Sequence, residues 1–235
     1  MELRVLPDVT AVAKAAAQTV ASRARSAVQS KGTFLLALSG GSTPWKMIEA
    51  ISKESVPWDK VHIFQVDERV APEGHQDRNL TQMIASLGSH SAIPAANIHP
   101  MPVNNPNLFE ASTNYATEIA DLVGDNKGID LIHLGLGPDG HIASLVPNDS
   151  VLDEHDRAVA ITGNTYQGRL RMTLTYPTIN AANEILWLVT GASKLEMLGR
   201  LLEGDESIPA GRISTASSLI FADEEAVPDL AINKS

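Results

Sequence analysis

The chain has 235 residues, 43% of them hydrophobic and 20% charged, and a formal net charge of −10. This profile predicts one globular α/β domain, and the acidic balance argues against a nucleic-acid partner, because phosphate backbones are bound by clustered Lys and Arg. The chain contains no cysteine, which excludes disulfides, thiol catalysis and Cys-ligated metals. No apolar run reaches the roughly 18 residues of a membrane span and the N-terminus lacks a signal-peptide core, so we expect a cytoplasmic protein with no membrane partner.

Predicted helices and strands alternate along the chain. Asp8 can cap a helix that ends at Gly32, and the apolar residues 33–38 then predict a strand buried on both faces. Further strands are predicted at 61–66, 129–134, 170–175 and 184–189, and helices from Asn79 to Leu87, from Leu108 to Leu122, from Ile142 to Pro147 and after Lys194. This order predicts a doubly wound, mostly parallel sheet with helices on both faces, in a single domain over residues 1–235.

The residues that follow the first buried strand, 39–44 (Ser-Gly-Gly-Ser-Thr-Pro), predict an anion site. Thr43 is a favourable N-cap and Pro44 a favourable first helical residue, so we expect a helix to begin there. A glycine-rich loop at a helix N-terminus offers an anion free backbone N–H groups and the positive end of the helix dipole. The lysine and spacing of a P-loop are missing, and the alternative interpretation is a tight connection that binds nothing.

The next predicted strand ends in three charged residues, Asp67, Glu68 and Arg69. Ligands of parallel α/β sheets bind beyond the carboxyl ends of the strands, so these side chains are well placed for a site. The alternative is a solvated turn that is charged by chance, and the triplet by itself slightly favours that alternative.

A second glycine-rich turn, at residues 135–141, contains Asp139 and His141. Glycine lets the backbone approach a ligand closely, because no Cβ is in the way. Histidine changes protonation near neutral pH and can therefore act as a general base. Taken alone, the turn is equally compatible with a structural role for His141.

Two basic residues are expected near these turns. Arg171 shares the polar face of an alternating strand with Thr173 and Thr175. Lys194 begins a helix after the small residues 190–193, where a lysine opposes the helix dipole unless an anion lies between them. This misfit favours a functional role for Lys194.

The other histidines are expected to be structural. His62 and His133 lie within apolar strands, and His155 lies in an acidic surface loop. No set of His, Asp and Glu has the spacing of metal ligands, so we expect no metal site. No Gly-x-Ser-x-Gly elbow is present to supply a nucleophilic serine. The candidate residues together favour base catalysis on a phosphorylated small molecule.

Five blocks of the sequence resemble the signature of the 6-phosphogluconolactonases. They are residues 39–44, 67–69, 135–145, 171–175 and 190–194. The blocks occur in the family's order, and the resemblance implies a modified Rossmann-like, NagB-like fold. It also implies hydrolysis of 6-phospho-D-glucono-1,5-lactone, the second step of the oxidative pentose phosphate pathway, with no cofactor or metal.

The glucosamine-6-phosphate deaminase/isomerases share the first loop and the Asp-Gly-His turn, and they are the alternative. Their pattern has a glutamate that assists the histidine where this chain has Val146, and a tyrosine where it has Arg69. Valine cannot relay a proton, so the resemblance favours the lactonase, whose pattern usually has phenylalanine at this position. A third possibility is a non-catalytic sugar-phosphate sensor, but the chain offers no basic DNA-binding segment.

The resemblance implies a role for each candidate residue. His141 would be the general base that activates water, Asp139 would orient it, and Arg69 would polarise the lactone carbonyl. The substrate and its phosphate would be held by Gly40, Gly41, Ser42, Thr43, Asp67, Asn79, Arg171 and Lys194. We expect Arg212 to face solvent, a sugar-phosphate lactone to be the ligand, and the protein to be a monomer or a weak homodimer.

Overall fold

The computed structural model of the chain describes residues 1–88, 92–214 and 216–227. Its strands are β1 (Glu2–Leu6), β2 (Phe34–Leu38), β3 (Val61–Gln65), β4 (Asp67–Arg69), β5 (Ile98–His99), β6 (Leu131–Gly135), β7 (Val159–Ile161), β8 (Arg171–Leu174), β9 (Glu184–Val189) and β10 (Ser218–Asp223). Its helices are α1 (Val9–Lys31), α2 (Ser42–Ile51), α3 (Asn79–Leu87), α4 (Leu108–Val123), α5 (Tyr176–Asn180) and α6 (Leu195–Leu202).

Seven strands form one sheet in the order β1-β10-β9-β6-β2-β3-β5, and every neighbouring pair is parallel. Alternate residues of the strands enter two separate cores, because successive side chains point to opposite faces. Helices α1, α2 and α3 contribute to one core, and α4, α5 and α6 to the other. The predicted doubly wound parallel sheet is therefore confirmed.

The order of strands reverses between β2 and β6. After β2 the chain adds β3 and β5 on one side, and it then returns to add β6, β9 and β10 on the other. Such a switch point opens a crevice at the carboxyl ends of the two central strands. The two glycine-rich turns follow these two strands, so the topology brings them together.

Helix α1 shows how local sequence signals set element boundaries. The Asp8 carboxylate accepts hydrogen bonds from the backbone N–H groups of Thr10 and Ala11, both at 2.8 Å. Gly32 ends the helix in the left-handed conformation with φ 86°. Both ends of α1 are where the sequence predicts them.

Within the described ranges, no helix is both long and apolar enough to cross a bilayer.

A second, antiparallel sheet of three strands, in the order β4-β8-β7, was not predicted. It pairs Asp67 with Thr173 and Arg69 with Arg171. The interpretation of residues 67–69 as a solvated turn is wrong, because Asp67 is 3% exposed and Glu68 is fully buried. The Glu68 carboxylate is compensated by three backbone N–H groups, at 2.7 to 2.9 Å, two of which belong to the first turn of α3.

The helix predicted from Ile142 is also wrong. Residues 142–145 form a tight turn in which the Leu145 N–H donates to the Ile142 carbonyl at 2.8 Å and Ala143 has φ 50°. The turn is held by Ser144, whose hydroxyl donates to the Asp67 carboxylate at 2.6 Å. This contact with the second sheet outweighs the local helical preference.

Candidate active site

Loops at the carboxyl edge of the main sheet surround a cavity of about 250 Å³. Ten of the eleven candidate residues line it: Gly40, Gly41, Ser42, Thr43, Asp67, Arg69, Asn79, His141, Arg171 and Lys194. The eleventh, Asp139, is hydrogen-bonded to His141. The structure therefore brings together residues that are up to 154 positions apart in the sequence (194 minus 40).

Asp139 and His141 form a tight pair on the wall of the cavity. The Nδ1 of His141 lies 2.5 Å from Oδ1 of Asp139, which also accepts the backbone N–H of His141 at 3.2 Å. The hydrogen bond from the His141 side chain lowers the pKa of Asp139 to about 2, so the carboxylate is ionised at neutral pH. An ionised acceptor keeps the proton on Nδ1 and leaves Nε2 free to take a proton from a bound molecule.

Gly137 lies directly against this pair. A Cβ at this position would lie 2.1 Å from Nδ1 of His141 and 2.6 Å from Oδ1 of Asp139. Its N–H donates to the His141 carbonyl at 2.8 Å and closes the turn. Glycine is therefore needed at position 137, because any side chain there would overlap the Asp139–His141 pair.

The first loop presents the N-terminus of α2 to the cavity, although the helix begins earlier than predicted. Gly41, not Thr43, is the N-cap, with φ 133°, a conformation that other residues rarely adopt. The Thr43 hydroxyl instead lies 2.6 Å from the hydroxyl of Thr190. The first N–H groups of α2 have no acceptor within the helix, which suits them to an anion.

His133 has a role that the sequence did not indicate. Its Nδ1 accepts the backbone N–H of Ser39 at 3.3 Å and so attaches the start of the first loop to β6. Burial lowers the pKa of His133 to about 3, so the ring is neutral and can accept this bond at neutral pH. The predicted core location is confirmed, and the residue also positions the loop.

Arg171 is a buried cation on the cavity wall, with 4% of its surface exposed. Its Nη1 lies 3.7 Å from the carboxylate of Asp67, and its Nη2 donates to Oε1 of Gln167 at 3.1 Å. Its Nε has no hydrogen-bond partner among the described residues. Burial lowers the pKa of Arg171, but an arginine stays charged at neutral pH. A charged group with an unpaired N–H can bind an anion in the cavity.

Asp67 and Asn79 line the cavity, yet their polar atoms mainly hold the protein together. The Asn79 amide donates to the Asp67 carbonyl at 2.9 Å and to its Oδ1 at 3.1 Å. The amide oxygen of Asn79 has no partner in the part of the chain described, and it lies 2.0 Å from where a Cβ on Gly40 would be. Gly40 is therefore a close-approach glycine, and the Asn79 oxygen is a free acceptor.

Arg69 and Lys194 are the other two cations at the cavity. Arg69 donates from Nη1 to the Asp77 carbonyl at 2.7 Å, and its buried Nε is unpaired within the described residues. Lys194 directly precedes α6, as predicted, and is half-buried. Burial lowers the pKa of Lys194, and the charge of Asp139 opposes this shift. The Asp223 carboxylate holds the lysine's loop by accepting the Gly191 N–H at 2.9 Å.

Tyr166, Gln167 and Thr190 also line the cavity, and Ser144 supports it through Asp67. Sequence reasoning gave none of these four side chains a role. Tyr166 places its ring edge against His141, with 5.3 Å between the ring centroids. It comes from the connection between β7 and β8, where a Gln-Gly pair predicts only a turn. Tyr166 reaches the cavity because the second sheet folds that turn over it.

Other sequence expectations concern residues outside the cavity. Arg212 and His155 are exposed, as predicted. His62 is partly buried on β3, next to the edge strand β5, and its Nδ1 lies 2.9 Å from Nε2 of His99. No group of three or more His, Asp or Glu residues within the described ranges is arranged to hold a metal ion.

A family model described as glucosamine-6-phosphate isomerases/6-phosphogluconolactonase matches residues 7–221. The 6-phosphogluconolactonase of Nostoc sp. is 37% identical to the chain, over 85% of the chain and 84% of the relative. That of Synechocystis sp. is 38% identical, over 86% of each. The crystal structure of the Thermotoga maritima 6-phosphogluconolactonase has a TM-score of 0.84 at 26% identity, covering 94% of this chain and 98% of its own. A monomeric glucosamine-6-phosphate deaminase has a TM-score of 0.82 at 21% identity, covering 96% and 98%, which shows a shared fold only.

Proposed function

Because the chain belongs to the family of glucosamine-6-phosphate isomerases and 6-phosphogluconolactonases, we propose that it hydrolyses 6-phospho-D-glucono-1,5-lactone to 6-phospho-D-gluconate with His141 as the general base. The observation that carries the proposal is the 2.5 Å Asp139–His141 pair on the wall of a cavity that also holds Arg69, Arg171 and Lys194. The cavity therefore combines a base with positive charges that suit a phosphorylated substrate. We place the reaction in the cytoplasm, at the second step of the oxidative pentose phosphate pathway.

The chemical step needs a base and little else. His141 takes a proton at Nε2 from a water molecule while the water oxygen bonds to the lactone carbonyl carbon. The imidazolium is stabilised by the ionised Asp139 on its other nitrogen. The bond between the carbonyl carbon and the ring oxygen then breaks, and the ring oxygen takes the proton back from His141. The product acid ionises in water. Positioned acid–base catalysis of this kind contributes about 10²–10⁴-fold to the rate.

Negative charge develops on the carbonyl oxygen when water adds, and Arg69 is our candidate to stabilise it. Its buried Nε lacks a partner among the described residues, and its Nη1 is fixed on the Asp77 carbonyl. A donor that is already oriented costs no reorganisation during the reaction. Arg171, Lys194 and the free N–H groups at the start of α2 would hold the 6-phosphate.

The deaminase alternative lacks a proton-transfer residue at the expected place. Val146 occupies the position of the assisting glutamate, is 5% exposed, and is not among the residues that line the cavity. The similar fold of the monomeric deaminase does not discriminate, since one fold hosts both chemistries. We therefore place the chain on the lactonase side of its family.

The direct test is a coupled assay on freshly generated 6-phospho-D-glucono-1,5-lactone, with glucosamine 6-phosphate measured in parallel. We expect hydrolysis well above the spontaneous rate and no turnover of the amino sugar. Turnover of glucosamine 6-phosphate would instead establish the deaminase. Inactivity on both compounds, with tight binding of 6-phosphogluconate, would point to a sensor.

Gly137→Ala is expected to lower kcat for the lactone at least about 10-fold, since misplacing a catalytic group by about 1 Å can cost 100-fold. The added Cβ would displace the His141 ring and the Asp139 carboxylate, which lie 2.1 and 2.6 Å from it. The φ of Gly137 is not positive, so the backbone itself accepts alanine and the effect comes from the contact with the pair. Kinetics and calorimetric titration with 6-phosphogluconate test this. We expect the affinity for 6-phosphogluconate to stay at the wild-type value, because the substitution does not touch the residues proposed to hold the phosphate. A variant with the wild-type kcat would contradict the prediction.

A further inference from the structure

Tyr166 lies in a turn whose geometry fixes the direction of its side chain. Its N–H donates to the Arg169 carbonyl at 2.9 Å, and the Arg169 N–H donates back at 3.3 Å. Between them Gln167 has φ 53° and Gly168 φ 78°. Two consecutive positive φ angles in a two-residue loop define a type I′ hairpin turn.

This hairpin is also anchored on both sides. Asp149 is 4% exposed, and its carboxylate accepts the backbone N–H groups of Gly163 at 2.8 Å and Asn164 at 2.9 Å. On the far side, the Arg169 guanidinium lies 3.0 Å from the Asp77 carboxylate. The turn thus holds Tyr166 at a defined position over the cavity.

The hydroxyl of Tyr166 faces the catalytic pair. It lies 3.4 Å from Oδ2 of Asp139, the oxygen that His141 does not use, and 3.5 Å from Nδ1 of His141. The two rings meet edge to face at an interplanar angle of 65°. Burial and the charge of Asp139 raise the pKa of Tyr166, so its O–H remains a donor.

Arg171 lies over the face of the same Tyr166 ring. The guanidinium carbon lies 5.1 Å from the ring centroid, within the range of a cation–π interaction. The Nη2 of Arg171 also donates to the Tyr166 carbonyl at 3.3 Å. One side chain therefore contacts both the catalytic pair and the buried cation.

We propose that Tyr166 is a positioning residue that holds the Asp139–His141 pair and the phosphate-binding Arg171 at a fixed separation. This inference rests on the proposed function. Its hydroxyl restrains the carboxylate that orients the base, and its ring face restrains the guanidinium. The two contacts use different parts of the side chain, so two substitutions can separate them.

Tyr166→Phe keeps the ring and removes the hydroxyl. We expect kcat for the lactone to fall roughly 3- to 10-fold, the effect of one hydrogen bond, with KM and affinity for inorganic phosphate unchanged. Tyr166→Leu also removes the ring face, and we expect a further loss of roughly 3- to 30-fold in phosphate affinity. Tyr176→Phe is the matched control, because Tyr176 donates to the Pro209 carbonyl at 3.1 Å and does not line the cavity.

Two results would overturn the proposal: an unchanged kcat in Tyr166→Phe, or the same phosphate affinity in Tyr166→Leu as in Tyr166→Phe. Two readouts do not depend on lactonase activity and separate this proposal from the proposed function. They are titration with inorganic phosphate and the downfield NMR signal of the Nδ1 proton of His141. If the wild type fails to hydrolyse the lactone, a signal that moves in Tyr166→Phe and an affinity that falls in Tyr166→Leu still support the positioning role. Unchanged values reject it.

Discussion

The variant His141→Ala is expected to lose about 10²–10⁴-fold in kcat for 6-phospho-D-glucono-1,5-lactone and to keep its fold. Without the imidazole, the site loses the group that takes the proton from the attacking water. The fold should persist because the His141 side chain is partly exposed and contacts Asp139 and Tyr166 at the cavity instead of the core. Initial rates, corrected for spontaneous hydrolysis, measure the effect.

The matched control for this variant is His155→Ala. His155 is exposed in a surface loop, so its removal should leave kcat, KM and the thermal unfolding midpoint unchanged. Circular dichroism should give the same spectrum for both variants. A His141→Ala enzyme with a near-normal rate would reject histidine as the base and leave Lys194 to be tested, since an arginine cannot take up a proton.

The variant Arg171→Met is expected to raise KM for the phosphorylated lactone and to weaken 6-phosphogluconate binding by about 10- to 100-fold, the effect of one hydrogen bond to a charged group. Methionine fills much of the volume but has no charge and no N–H donor. Asp67 keeps its hydrogen bonds to Ser144 and Asn79, so the wall of the cavity retains its main contacts. Kinetics and calorimetric titration measure the two changes.

Unphosphorylated glucono-1,5-lactone separates a role in phosphate binding from a general defect. Arg171→Met should change its hydrolysis far less than that of the phosphorylated lactone, whereas His141→Ala should slow both. Arg212→Met removes an exposed arginine and is the control. Equal losses with both lactones would mean that Arg171 mainly supports the fold or the base.

Much of this site could be predicted because its parts are local. The cap at Asp8, the glycine at Gly32 and the apolar strands act over a few residues, so helix and strand positions follow from the sequence. Parallel strands place their carboxyl ends at one edge of a sheet. For that reason the turns with Gly41, His141 and Lys194 can be assigned to one site from the sequence alone.

Long-range contacts decided the rest. The short edge strand β1 and its neighbour β10 were not predicted, and β4 pairs with β8, which is about 100 residues away. The turn at Ser144 replaced a predicted helix because its hydroxyl reaches the Asp67 carboxylate across 77 positions.

The sequence by itself determined the class of fold, the two glycine-rich turns and the charged residues around them, because propensities, caps and strand ends are local properties. Only the tertiary structure decided which side chains restrain one another. Tyr166 reaches Asp139 and Arg171 because the second sheet folds its turn over the cavity. No hydrophobic periodicity or motif spacing in the sequence predicts these contacts, because they depend on how the two sheets pack and not on neighbours along the chain.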